Sequence, residues 1–196
     1  KESFPFFNIQ ILNNSYIMLP VILVGSILGT SEAANYGNAE KFQRLFRSLI
    51  SPFGRVLLSF NSKKTVKKDK LIRLWPYVGM IGITIFIVGL IMSTTFFDLF
   101  FDDDYESMKQ IAIIMFASIP FIYVSSHLIN TFIYPFNKEY FLNKVMLIIA
   151  PIVVMVLLVF MNSEGLIFTS FVGLIAEIIL CLTLVLFLKL YNKKKK

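Results

Sequence analysis

Apolar residues run through this sequence in long blocks rather than in alternation. Crossing a hydrocarbon core of about 30 Å takes ~20 helical residues at about 1.5 Å rise. About six blocks are long enough: residues 5–28, 37–60, 74–97, 109–133, 141–161 and 165–188. None alternates with period two, so membrane-barrel strands are not expected. The pattern predicts an all-α, polytopic membrane helix bundle of about six transmembrane helices. It forms one domain over 1–196, ending in a basic tail at 189–196.

The links between blocks alternate in charge. Residues 61–73, NSKKTVKKDKLIR, hold six cations and one acid, and the chain ends in Lys189 and a KKKK run. The link 137–144 has Lys138 and Lys144 against Glu139. The other links are GTSEAANYG, FFDLFFDDDYESMK and NSEG, which carry acids and almost no cations. Basic loops stay on the cytoplasmic side of a membrane. Both ends then fall in the cytoplasm, which requires an even number of crossings, and six satisfies it.

Composition agrees. Hydrophobic residues make up 57% of the 196, with 21 Phe, and the mean hydropathy is +0.74. A soluble domain of this size could not bury so much apolar surface, whereas lipid accepts it. The net charge of +7 sits in the links as topology determinants do, so nucleic acid is not the expected partner. Cys181 is the single cysteine, so neither a disulfide framework nor a thiolate metal site is expected. There is no nucleophile–base pair, no phosphate-binding Gly loop and no spacing that calls for a cofactor, so enzymatic activity is not expected. The DDD at 102–104 lacks the spacing of a calcium loop and reads as a solvated link.

One block breaks the rule that membrane segments avoid charge. Residues 40–55 read EKFQRLFRSLISPFGR. On a helical wheel at about 100° per residue, Lys41, Arg44, Arg47 and Arg55 share one side with Ser48 and Ser51. Phe42, Phe46, Leu49 and Phe53 lie opposite. Lys41 and Arg55 are near the two ends, where snorkelling to the interface explains them as well as ligand binding does. Arg44 and Arg47 are deeper, where a lipid-facing cation costs roughly 2.5–3.5 kcal/mol. They are expected to face a water-filled cavity or a buried acid. Arg binds phosphate bidentately and stays charged, so this stripe suits an anionic passenger.

Further polar residues lie at depth. Glu177, in VGLIAEIILCL, is a candidate counter-ion to Arg44 or Arg47, a coupling carboxyl, or a carboxyl buried for stability alone. His127 shares its block with Ser125, Ser126, Asn130 and Thr131. It reads as an interhelical hydrogen-bonding residue or as part of a polar relay with Asn130, and no companion His or Cys makes a metal site. Asn8, Gln10, Asn13 and Asn14 either line a polar pocket or join helices.

Three stretches resemble one family. VILVGSILGTSEAANYGNAEKFQRLFRSLISPFGR (21–55) resembles the segment joining the seventh and eighth helices of polysaccharide flippases. These are the O-antigen and exopolysaccharide transporters of the multidrug/oligosaccharidyl-lipid/polysaccharide exporter superfamily. Gly25, Gly29, Glu32, Ala33 and Tyr36 carry the likeness. MFASIPFIYVSSHLINTFIYPFNKEYFLNKV (115–145) is similar to the tenth helix and its inner link, with Asn137 where the family has Gly. SEGLIFTSFVGLIAEIILCL resembles the last helix, whose acid falls on Glu177.

The resemblance implies half of a twelve-helix transporter, the C-terminal half, since the first residue is Lys and six blocks are half the usual number. It also implies a bacterial cytoplasmic membrane and a partner N-terminal half beside membrane lipids and the polysaccharide polymerase machinery. The implied activity is alternating-access flipping of a polyprenyl-pyrophosphate-linked oligosaccharide for surface polysaccharide synthesis, with Arg44, Arg47, Lys41 and Arg55 on the substrate. Alternatives stay open: a cation-coupled small-molecule or drug exporter, a membrane enzyme modifying lipid-linked sugars, or a non-transporting scaffold.

Overall fold

The computed structural model describes residues 18–49, 52, 56, 72–100 and 106–194. Asn8, Gln10, Asn13, Asn14, Ser51, Arg55 and the DDD triplet lie outside the described residues. Within them every regular element is helical and no strand occurs. Helix α1 (Met18–Ile27) is followed by α2 (Thr30–Ser48), α3 (Trp75–Phe100), α4 (Glu106–Ala117) and α5 (Ile119–Leu128). A π-helical turn (Ile129–Ile133) and a 3-10 turn (Tyr134–Phe136) lead into α6 (Glu139–Lys194).

Three helices among the described residues are long and apolar enough to cross a membrane: Trp75–Thr95, Glu106–Phe136 and Glu139–Tyr191. By length and composition they make this a membrane protein. The third is folded back on itself. Gly165 has φ 72° and ψ −159° inside α6, a region open to glycine alone. The Phe141 and Phe187 rings then stack at 3.8 Å and 10°, and Phe160 meets Phe168 at 6.0 Å. On a continuous helix Phe141 and Phe187 would stand about 70 Å apart. α6 is therefore an antiparallel hairpin, with arms 139–164 and 166–194.

Two expectations change. The link GTSEAANYG is helical from Thr30, so only Leu28 and Gly29 separate α1 from α2. Gly29, at φ 110°, makes that corner. And α2 itself is not among the three apolar helices, because Glu32, Glu40, Lys41, Gln43, Arg44 and Arg47 fall within it, while most of the expected span 37–60 after Leu49 lies outside the described residues.

The helix running through α4 and α5 is the centre of the bundle, with 67% of its apolar window buried against 17% for α3 and 28% for α6. α3 packs on it through glycine. A Cβ on Gly82 would lie 2.7 Å from the Pro120 Cα, and one on Gly89 would enter the Phe116 ring. Such close backbone approach is how membrane helices gain packing without a hydrophobic driving force. Phe42 and Phe46 of α2 meet the other side of Phe116 edge-on, at 5.5 and 5.0 Å.

Charge is sorted along the bundle. Glu32, Glu106 and Glu164 lie toward one end, where Tyr36, Met108, Met161 and Leu166 share a core cluster. Arg73, Lys138, Lys144, Lys189 and Lys193 lie toward the other, around the cluster of Ile72, Phe132, Leu142 and Leu188.

Candidate functional site

Pro120 has no N–H to give the Phe116 carbonyl, and the central helix breaks there. The Ser118 N–H turns instead to Met115 O at 3.1 Å. The Ser118 hydroxyl donates to the same carbonyl at 2.7 Å. Gln43, buried on α2, closes the break from outside: its Nε2 donates to Met115 O at 2.7 Å and to Ser118 Oγ at 2.8 Å. The Tyr123 hydroxyl ties the far end of α2 by donating to Phe46 O at 2.8 Å, a carbonyl in the last turn of its helix. α2 is thus pinned by hydrogen bonds to the central helix at the break and one turn beyond it.

A cavity of about 70 Å³ lies beside this point. Tyr36, Glu40, Gln43 and Arg47 line it from α2, Ser118 from the break, and Glu177 from the second arm of α6. Thr169 and Ser170, both buried, add polar wall. Their hydroxyls donate back to Gly165 O and Leu166 O, at 3.2 and 3.3 Å. The space is wide enough to admit water.

The cavity lies at mid-depth. Ser118 stands about 18 Å along its helix from Glu106, and Glu177 about 18 Å from Gly165, in a core of about 30 Å. Arg47 Nη1 stands 4.0 Å from Glu177 Oε1, with the two side chains 29% and 10% exposed. That separation is an ion pair without a direct hydrogen bond. Arg44 pairs with Glu40 one turn back on α2, its Nε and Nη2 donating at 3.1 and 2.7 Å. Each of the two arginines therefore has a carboxylate, and the two pairs balance in charge.

The cationic stripe does not face the cavity as a unit. The buried side of α2 holds Tyr36, Ala39 and Gln43, with Arg47 at its edge. Lys41, Arg44 and Ser48 are exposed on the other side, and the Ser48 hydroxyl donates to Leu45 O at 2.6 Å. Of the residues expected to form the site, the structure brings together Arg47 and Glu177. His127 is buried and Asn130 half-buried in the π turn, and neither lines this cavity. Tyr36, Glu40 and Gln43 were not anticipated. Their spacing with Arg47 (36, 40, 43, 47) is that of one helix face, a signal present in the sequence but overshadowed by the cations.

Among the described residues, no cluster of His, Cys, Asp and Glu has the arrangement of a metal site. Compared with known proteins, the chain matches no family model, no curated protein and no solved structure.

Proposed function

We propose that this chain is part of a membrane transporter of the flippase type, acting on a polyprenyl-pyrophosphate-linked oligosaccharide by alternating access. The observation that carries the reading is the Arg47–Glu177 pair on a polar cavity at mid-depth. Ionisable residues at that depth are costly in lipid and mark pathways through membrane proteins. The likeness to polysaccharide flippases supplies the substrate class. The cavity is partly open but narrow, so the pyrophosphate reaches Arg47 fully when α2 moves away from α4 and α5. Arg44, Lys41 and Ser48, on the open side of α2, would meet the substrate first.

The test is made in cells that depend on the full-length protein for surface polysaccharide. Arg47→Ala combined with Arg44→Ala should abolish surface polysaccharide while membrane insertion persists. Normal output from the double variant would refute the reading.

The balanced charge supports a second reading, a cation-coupled exporter. Glu40 and Glu177 both line the cavity with Arg47, and acids are what a cationic passenger requires. Glu40→Gln and Glu177→Gln would then abolish export of cationic compounds and leave polysaccharide untouched.

A further inference from the structure

The basic end of the bundle is built rather than merely charged. After the 3-10 turn Tyr134–Phe136, Asn137 adopts φ 53° and ψ 48°, and the Lys138 N–H donates to Ile133 O at 2.9 Å. This tight stop sets Lys138 against the second arm of α6, with its Nζ 5.7 Å from the centre of the Tyr191 ring. One turn into the first arm, the Lys144 Nζ stands 4.7 Å from the centre of the Tyr140 ring. Both separations are within the ~6 Å of a cation–π contact. A lysine that only sets orientation during insertion needs no such fixed seat.

The surface below the Lys144 ammonium is apolar and open. Tyr140, Lys144, Leu147 and Ile148 share one exposed side of the first arm, and Leu147 and Ile148 are 52% and 61% exposed. The Lys144 ammonium therefore stands above an exposed aliphatic strip, with Lys138 at the same end of the arm, turned toward the second arm. Aromatic rings sit at the same level, as at a membrane interface. Glu139 is the acid of this end among the described residues.

We propose that this end of the bundle binds the headgroup of an anionic phospholipid. Lys144 holds the phosphate, Lys138 adds a second positive charge at the same end, and an acyl chain lies along Leu147 and Ile148. The chemistry is that of juxtamembrane basic residues on anionic lipid, with the two lysines preset by Tyr191 and Tyr140. The proposal depends on the membrane reading and not on what the cavity transports.

Trp75, the one tryptophan in the sequence, packs on the core cluster at this end and reports on it. The full chain in neutral detergent micelles, where orientation is no variable, is titrated with brominated phosphatidylglycerol or brominated phosphatidylcholine, and quenching of Trp75 is followed. Phosphatidylglycerol should quench at lower concentration, and 0.5 M salt should remove most of the difference, since about 3 Å of screening length remains near 1 M. Lys138→Gln with Lys144→Gln should reduce the preference by about fivefold per lysine. The paired Lys→Arg variant should keep it, as should Lys109→Gln on α4. Equal quenching by the two lipids, a preference that survives salt, or one that survives the double Gln variant would overturn the proposal. So would an equal loss in Lys109→Gln, which would make the effect one of net charge alone.

Discussion

Arg47 and Glu177 approach to 4.0 Å across the cavity from helices far apart in sequence. Glu177 is poorly solvated there and Arg47 partly so, which makes Arg47 the nearest compensation for the Glu177 carboxylate. Removing one partner leaves a charge in a poorly solvated site, which costs more than the intact pair contributes.

Arg47→Ala should therefore destabilise the protein by about 3 kcal/mol, the lower end for a broken buried pair. Glu177→Gln in the same chain should recover much of that loss. Denaturation of the single and double variants in detergent gives the coupling energy. Additive effects would mean that the two groups do not interact.

Gln43→Leu removes two donors from the break in the central helix and leaves Ser118 Oγ and Met115 O with fewer partners. The expected cost is about 1–3 kcal/mol. Because Gln43 also ties α2 to the wall of the cavity, thiol labelling of a cysteine placed at Ser118 should accelerate in this variant. Unchanged labelling would show that α2 is held by other contacts.

A side chain at Gly89 has no room beside Phe116. Gly89→Leu should cost at least the 1–3 kcal/mol typical of overpacking, and Phe116→Ala in the same chain should relieve part of it. Both are read from thermal unfolding in detergent. Gly165→Ala, at φ 72°, should cost about 1–3 kcal/mol through backbone strain rather than crowding, since nothing lies within 4 Å of its added Cβ.

The fold-back of α6 has its own test. Cysteines replacing Phe141 and Phe187 should join within one chain under a short bifunctional thiol reagent, because the native rings stack at 3.8 Å. A straight α6 would hold them about 70 Å apart and give no such product.

The Tyr123 hydroxyl donates to Phe46 O, so Tyr123→Phe should cost about 1 kcal/mol, the ordinary worth of one hydrogen bond. The same denaturation series measures it.

What the sequence by itself determined was the helical class, the long apolar helices and the sorting of charge to opposite ends. All three follow from composition over windows of ~20 residues, and lipid imposes that scale directly. It also offered Glu177 as a counter-ion to one of two arginines, beside a coupling carboxyl or one buried for stability alone, because an acid and a cation at similar depth can compensate each other. Tertiary structure alone decided which arginine. The wheel placed Arg44 and Arg47 on one stripe, about 60° apart, and packing of Phe42 and Phe46 against Phe116 rotated that stripe so that Arg47 turned in and Arg44 turned out. Gln43 became a buried clamp because Pro120, on another helix, disrupts the helix bonding beside Met115 and Ser118. A residue's solvent or partner depends on the rotation of its helix against neighbours. That rotation is set by side-chain packing between segments, which no single segment contains.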